Sequence, residues 1–372
     1  MSDIMNKSEK QKMVRLVVTG GGTGGHLFPG IAVAEAIMAE RTESEVLFVG
    51  TDRQVDNQVL GSRPFRTATL KCQGLKGKSI SAALDSLIQL PLALIKAIKI
   101  LRSFNPDLVL GVGGYVTGPV VLAAKLLGIP TCIHEQNSIP GLANKLLGKF
   151  ADRVFLSIPG SEKFFPKDRS LLTGNPVRGE ILACNGNRDE NNGPILLVLG
   201  GSQGAHRLNT LVAEGLCAFK KDFPDGFMVI HQTGSLDEQT IKEKYLTAGV
   251  KAEVSAFFSD MATVYNQADM LVSRAGATSL AEICVLGKPS ILIPFPFAAD
   301  NHQEHNGRMV VDQGGAVMRL ESELDSEVLA KDILNIIRNP EEMRQMGEKA
   351  RKVSFPGATE LIVQECLELA GW

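Results

Sequence analysis

The sequence predicts an α/β protein built twice over, two Rossmann-like domains whose parallel sheets face a central cleft. Three observations carry this. Two glycine-rich loops, Gly20-Gly21-Gly22-Thr23-Gly24-Gly25 and Gly200-Gly201-Ser202-Gln203-Gly204, each follow a short apolar, β-branched run and precede a helical pattern. Strand-like and helical runs alternate almost throughout, as parallel sheets with helical crossovers require. At 372 residues and 44 % hydrophobic content the chain can fill two ordinary cores, and the polar stretch Ala183 to Pro194 breaks it near its midpoint.

In the first half the apolar runs predict strands at Arg15 to Thr19, Val46 to Gly50, Leu108 to Gly111, Thr131 to His134 and Arg153 to Leu156. Pro29 to Ala39 places Ile31, Val33, Ala34, Ile37 and Met38 at helical spacing, and Gly118 to Leu127 is a second helix behind the cluster Gly111-Val112-Gly113-Gly114. In the second half strands are expected at Ile195 to Leu199, Phe227 to His231, Lys251 to Ala256, Met270 to Ser273 and Ser290 to Ile293. Helices follow at Glu327 to Asn339 and Ala358 to Leu369. Right-handed crossovers bring the loops that follow the strands to one edge of each sheet. The expected divisions are a flexible tail over 1–12, domains over 13–175 and 176–355, and a closing segment over 356–372.

The formal net charge of −2 gives no general basic field, so a nucleic-acid partner is disfavoured. The six cysteines are scattered without a Cys-x-x-Cys pair and read as reduced thiols filling cores. Residues 1–12 lack the apolar core of a signal peptide. Leu87 to Leu101 is interrupted by Gln89, Pro91, Lys96 and Lys99, short of the roughly 18 apolar residues of a membrane span.

Gly20, Gly22 and Gly25 match the dinucleotide pattern G-x-G-x-x-G, but the second strand ends Phe48-Val49-Gly50 with no acid for an adenosine ribose, so a nicotinamide site is the lesser reading. His26 enters a helix at the strand edge, where it either shapes the loop or accepts a proton from a substrate hydroxyl. His134-Glu135, with Gln136, Asn137 and Ser138 behind them, converge on the same crevice, although strand neighbours point to opposite faces. Ser273 to Glu282 forms a phosphate cradle at a helix start or an ordinary capped helix, Glu282 suits a ribose diol or a salt bridge, and Ser202 a phosphate or a cap. His302, Glu304 and His305 lack metal-site spacing, whereas Asn301, Gln303 and Asn306 suit sugar hydroxyls and amides. Ile80 to Phe104 reads first as a core helix; Lys96, Lys99 and Arg102 on one face also suit an anionic membrane surface.

From about Arg15 to Leu369 six motifs in order resemble the MurG family, the undecaprenyldiphospho-muramoylpentapeptide β-N-acetylglucosaminyltransferases of glycosyltransferase family 28. They are Gly21 to Gly30, Gly113-Gly114-Tyr115, His134-Glu135-Gln136-Asn137, Gly174-Asn175-Pro176-Val177-Arg178, Gly200 to Gly204 and Arg274-Ala275-Gly276-Ala277. The resemblance implies a GT-B fold whose last helix returns to the N-terminal domain, with UDP-N-acetylglucosamine (UDP-GlcNAc) held mainly by the C-terminal domain. It implies donor contacts from Thr23, Gly24, Gly25, Asn137, Arg178, Ser202, Arg274, Ala277, Thr278, Ser279, Leu280 and Ala281. Phe258 would meet uracil through its backbone, Glu282 the ribose and Gln303 the sugar. Acceptor contacts fall on Gly21, Gly22, Gly113, Gly114, Tyr115, His134 and Asn144, with Ile80, Leu84, Leu87, Lys96, Lys99 and Arg102 at a membrane face.

The reaction so implied is inverting transfer to the muramoyl C4 hydroxyl of lipid I, the undecaprenyl-pyrophosphoryl-MurNAc-pentapeptide, giving lipid II for peptidoglycan synthesis and so serving cell shape and division. His26 is the candidate base and Glu135 a second catalytic candidate. No tightly bound cofactor or protein metal site is expected, added Mg2+ being at most a stimulant. Expected partners are the anionic inner-membrane surface, on whose cytoplasmic face the protein would be peripheral, and other cell-wall synthesis proteins. The alternatives are a UDP-GlcNAc 2-epimerase, whose paired acids are not evident, and a non-enzymatic UDP-sugar sensor.

Overall fold

The structure, a computed structural model, describes residues 13–22, 24–51, 59–61, 63–70, 80–184, 193–201 and 204–372; for 80–89 it describes the backbone alone. The tail expected over 1–12, the contacts expected from Thr23 and Ser202, and the side chains of Ile80, Leu84 and Leu87 lie outside the described residues.

The first half runs β1 (Arg15–Gly20), α1 (Gly24–Glu40), β2 (Glu45–Gly50), β3 (Arg66–Thr69), α2 (Ile80–Phe104), β4 (Leu108–Gly113), α3 (Thr117–Leu126), β5 (Thr131–Glu135), α4 (Leu142–Leu147), β6 (Arg153–Leu156) and β7 (Ser170–Leu172). The second runs α5 (Gly179–Leu182), β8 (Ile195–Leu199), α6 (His206–Ala218), β9 (Met228–Gln232), α7 (Glu238–Ala248), β10 (Ala252–Ser255), α8 (Met261–Gln267), β11 (Met270–Ser273), α9 (Ala277–Leu286), β12 (Ser290–Leu292), α10 (His302–Val311), β13 (Val317–Met318), α11 (Ser326–Ile337), α12 (Pro340–Lys352) and α13 (Ala358–Leu369).

Two parallel sheets result, ordered β3-β2-β1-β4-β5-β6-β7 and β10-β9-β8-β11-β12-β13. Each reverses its strand order beside its first strand, and each glycine loop leaves the carboxyl end of that strand, where open α/β sheets take ligands. The strands read as continuous apolar runs because both faces are covered. Leu16 and Val18 face a core with Ile31 and Ile37 of α1, while Val17 faces one with Leu101 of α2 and Val120 of α3. Ile362, Val363 and Cys366 of α13 complete the first of these cores, so the last helix packs on α1 and the first sheet.

Three strands went unpredicted, β3, β7 and β13: each is short, sits at a sheet edge and carries no fully buried residue. α1 begins at Gly24 rather than Pro29, so the proline lies inside the helix. The five described cysteines are free thiols. Among the described residues no helix is long and apolar enough to cross a membrane.

Candidate functional site

A cleft of about 530 Å³ opens between the carboxyl ends of the two sheets, within the usual size of small-ligand sites. On its first wall the loops after β1 and β4 lie directly on one another. Gly113 and Gly114 hold φ of 106° and 87°, and a Cβ on Gly114 would stand 2.6 Å from the Gly21 carbonyl oxygen. A Cβ on Gly113 would stand 2.8 Å from the His26 ring, so the missing side chain is what lets the imidazole rest there, half-buried and lining the cleft. The Thr117 hydroxyl pins this junction, 2.8 Å from the Gly113 carbonyl and 3.1 Å from that of Thr19. Tyr115 beside it is 54 % exposed.

Behind this wall the structure corrects three expectations. His134 is buried: Gln136 Nε2 lies 3.1 Å from its Nδ1, and Ser157 Oγ and the Gly174 carbonyl lie 3.0 and 3.3 Å from its Nε2. Burial lowers its pKa to about 4, so the ring is neutral and reaches no acceptor surface. Glu135 is buried too, accepting from the Asn137 backbone and amide, the Asn144 amide and the Gly141 N–H. Burial raises its pKa despite these bonds, but a carboxylate so enclosed takes no proton from a cleft substrate. Asn144, expected at the acceptor, is buried beneath the same loop, donating to Glu135 and to the His134 carbonyl. The three position residues 135–141; Gln136 and Asn137, not they, line the cleft.

The second wall is built on α9. Gly276 precedes it in extended conformation without any side-chain cap, leaving the Ala277, Thr278 and Ser279 end of the helix facing the cleft. Leu280 and Ala281 turn away, lining a separate cavity of about 20 Å³ with Asn175, so any ligand contact from them is through backbone. Glu282 accepts from Arg178 Nη2 at 3.0 Å and from the Tyr265 hydroxyl at 2.8 Å. The Arg178 guanidinium lies 4.4 Å over the Phe28 ring; burial opposes its charge, but Glu282 outweighs that and raises its pKa.

Phe258 gives its N–H to Gln232 Oε1 at 3.1 Å and its ring to the core, while its neighbour Phe257, 45 % exposed, lines the cleft. Arg274 is buried, donating to the Ile293 and Pro294 carbonyls, pairing with Glu321 at 2.5 Å and lying 5.6 Å from the Phe295 ring. It holds the 293–295 segment at the cleft edge, where Gln303 Oε1 accepts the Phe295 N–H at 2.9 Å. His302 Nδ1 lies 2.8 Å from the Ala299 carbonyl and Glu304 pairs with Arg308; among the described residues no group of three His, Cys, Asp or Glu is placed to hold a metal ion.

Asn306, read from sequence as a sugar contact, is fully buried between the halves. Its Oδ1 accepts from the Ser138 N–H and hydroxyl at 2.9 and 3.0 Å, and its Nδ2 donates to Asn137 Oδ1 at 3.1 Å. Phe28, Gln232, Phe257 and Tyr265 are cleft residues that sequence reasoning missed. Phe28 lies inside the Gly21 to Gly30 motif and Phe257 one residue from Phe258, but neither is assigned a contact from sequence, and Tyr265 reads as a core position of its helix.

Away from the cleft, α2 exposes Leu90, Leu92 and Ile95 with Lys96, Lys99 and Arg102. Leu122 and Leu126 of α3, which packs on α2, and Leu142 and Leu146 of α4, which packs on α3, are exposed as well.

The glycosyltransferase family 28 N-terminal domain matches residues 16–156, and the family's C-terminal domain matches residues 195–362. A UDP-N-acetylglucosamine--N-acetylmuramyl-(pentapeptide) pyrophosphoryl-undecaprenol N-acetylglucosamine transferase of Desulfotalea psychrophila is 48 % identical over 95 % of this chain and 96 % of its own. The protein of the same name from Geotalea uraniireducens is 46 % identical over 95 % of this chain and 97 % of its own. Among solved structures, Acinetobacter baumannii MurG superposes with a TM-score of 0.74 at 28 % identity, over 95 % of this chain and 99 % of its own. A UDP-GlcNAc 2-epimerase from Neisseria meningitidis shares the fold alone, with a TM-score of 0.65 at 15 % identity over 96 % of this chain and all of its own. By both domain matches, by these relatives and by its two facing parallel sheets of the GT-B type, the chain belongs to glycosyltransferase family 28.

Proposed function

We propose that this glycosyltransferase moves N-acetylglucosamine from UDP-GlcNAc to the muramoyl C4 hydroxyl of a pyrophosphoryl-undecaprenol-linked MurNAc-pentapeptide, with inversion. The observation that carries the reading is the meeting, in one cleft, of the uncapped α9 N-terminus and the His26 imidazole on its two-loop glycine seat. The donor's diphosphate binds at the N–H groups of Ala277 to Ser279, where the helix dipole favours an anion. Glu282 takes the ribose hydroxyls, the Phe257-Phe258 turn the uracil and Gln303 the sugar. The acceptor's diphosphate binds over Gly21, Gly22, Gly113 and Gly114, whose backbone is bare of side chains.

The C4 oxygen attacks the anomeric carbon as its proton passes to His26. The new C1–O4 bond forms on the face opposite the departing UDP, and the bond from C1 to the diphosphate breaks with its electron pair on the phosphate oxygen. Negative charge grows at the α9 N-terminus, which is oriented for it before the reaction and has nothing to reorganise. Asn137, fixed by Glu135 on one side and Asn306 on the other, lies at the seam of the two walls as a donor contact. The exposed leucines and bases of α2 to α4 dock the enzyme on an anionic bilayer carrying the lipid-linked acceptor, which makes it a peripheral protein of the inner membrane's cytoplasmic face.

The test is transfer of labelled N-acetylglucosamine from UDP-GlcNAc to a short-chain lipid-linked MurNAc-pentapeptide, with UDP release followed in parallel. Acceptor-dependent product with matching UDP supports the transferase; UDP-sugar turnover without acceptor overturns it in favour of an epimerase.

A further inference from the structure

We propose that Tyr265 orients the Glu282 carboxylate toward the donor's ribose diol and thereby sets a preference for ribo- over 2′-deoxyribonucleotides. The inference rests on the UDP-sugar reading and deepens it. Tyr265 stands on α8, which starts shortly after the Phe257-Phe258 segment, and it lines the cleft although only 1 % of it is exposed. Its hydroxyl donates to Glu282 Oε2 at 2.8 Å while Arg178 Nη2 donates to Oε1 at 3.0 Å. Each carboxylate oxygen has room for about two hydrogen bonds, so each holds one donor from the protein and keeps one acceptor position for one hydroxyl of a diol.

The two donors come from two neighbouring elements, Tyr265 from α8 and Arg178 from the residue before α5. Together they stop rotation about the terminal carboxylate torsion, which is otherwise broad and soft. Without the hydroxyl, Arg178 is the fixed donor that remains among the described residues, and the favoured arrangement becomes a two-bond fork from its guanidinium that occupies both oxygens. Tyr265 stays a phenol: burial first, and then the Glu282 charge, push its pKa well above the ordinary value, so it donates across the working pH range. Phenylalanine would fill the same space without that bond.

The experiment is calorimetric binding of UDP and 2′-deoxy-UDP to the wild type, Y265F and E282Q, with donor kinetics of transfer measured alongside. The wild type is expected to favour UDP. In Y265F, UDP binding weakens about tenfold, the loss typical of one hydrogen bond to a charged group, while 2′-deoxy-UDP binding scarcely changes. The kinetic effect falls on the donor KM more than on kcat. Equal weakening of both ligands, or an unchanged preference, overturns the inference. Wild-type protein that binds no UDP overturns the donor reading as well; wild-type protein that binds both ligands equally overturns the inference alone.

A second measurement leaves Tyr265 in place. The chain has three tyrosines, Tyr115, Tyr245 and Tyr265, so 3-fluorotyrosine labelling gives three fluorine resonances, assigned with Y115F and Y245F. The Tyr265 resonance is expected to shift more with UDP than with 2′-deoxy-UDP; equal shifts contradict the proposal.

Discussion

The Thr278 hydroxyl lies 2.9 Å from the carbonyl oxygen of Gly25 and joins the start of α9 to the first turn of α1, which carries His26. Pro29 explains why that carbonyl is available. Residue 29 is the one whose N–H would close the helical bond to Gly25, and proline has none. The second half of the chain thus supplies the donor that the first half lacks, one residue from the candidate base.

Replacing Pro29 with alanine restores the helical partner of Gly25, and Thr278→Val removes the competing donor. Each is expected to widen the average separation of the two halves and lower turnover about fivefold, as the loss of one hydrogen bond of about 1 kcal/mol does. Distance measurements between spin labels on α7 and α3 read the opening directly. An unchanged distance distribution in both variants contradicts the role given to this bond.

His26→Ala is expected to reduce kcat by roughly 10²- to 10⁴-fold, the usual contribution of a general base, with UDP affinity changed little. Titration calorimetry and single-turnover transfer separate the two. Near wild-type turnover places the base elsewhere.

Two buried neutral histidines give the fold an acid liability. Burial lowers the pKa of His134 to about 4 and that of His231 to about 3, against an ordinary value near 6.5. Because the unfolded chain binds these protons first, each histidine lowers stability as pH falls from about 6.5 toward its folded value, at up to about 1.4 kcal/mol per pH unit. Urea midpoints should therefore fall between pH 6.5 and 4, and less steeply in His231→Gln, whose amide can still bond Asn209 or Tyr245. Identical slopes would show that other groups set the acid limit.

Lys96→Glu with Lys99→Glu is expected to reduce binding to vesicles rich in anionic lipid by roughly tenfold or more, at about 1 kcal/mol per basic residue near the surface, and more weakly at high salt. Transfer to a water-soluble acceptor should be spared. Vesicle sedimentation checks this; undiminished binding excludes these bases as the docking charge.

The sheets were legible because their central strands are buried on both faces and so appear as unbroken apolar runs, as at Leu196 to Leu199. The edge strands β3 and β13 were not, since one is largely exposed and the other two residues long. The glycine loop after β1 and the start of α9 were legible from local pattern alone, and both line the cleft. Sequence pattern gives chemical type and not depth: His134, Glu135 and Asn144 read as cleft groups and lie beneath it. Asn306 read as a sugar contact, and its bonds go to Ser138 and Asn137, about 170 residues earlier, a pairing no local window contains. Tyr265 sits among residues at helical core spacing, and only the folded chain brings its hydroxyl to Glu282.

The most direct test of the proposed activity is the structure of the product formed from UDP-GlcNAc and a short-chain lipid-linked MurNAc-pentapeptide, read by NMR at the new anomeric carbon. The account predicts a β linkage to the muramoyl O4, formed only when acceptor is present and accompanied by an equal amount of UDP. An α linkage, or conversion of UDP-GlcNAc without acceptor, would contradict it.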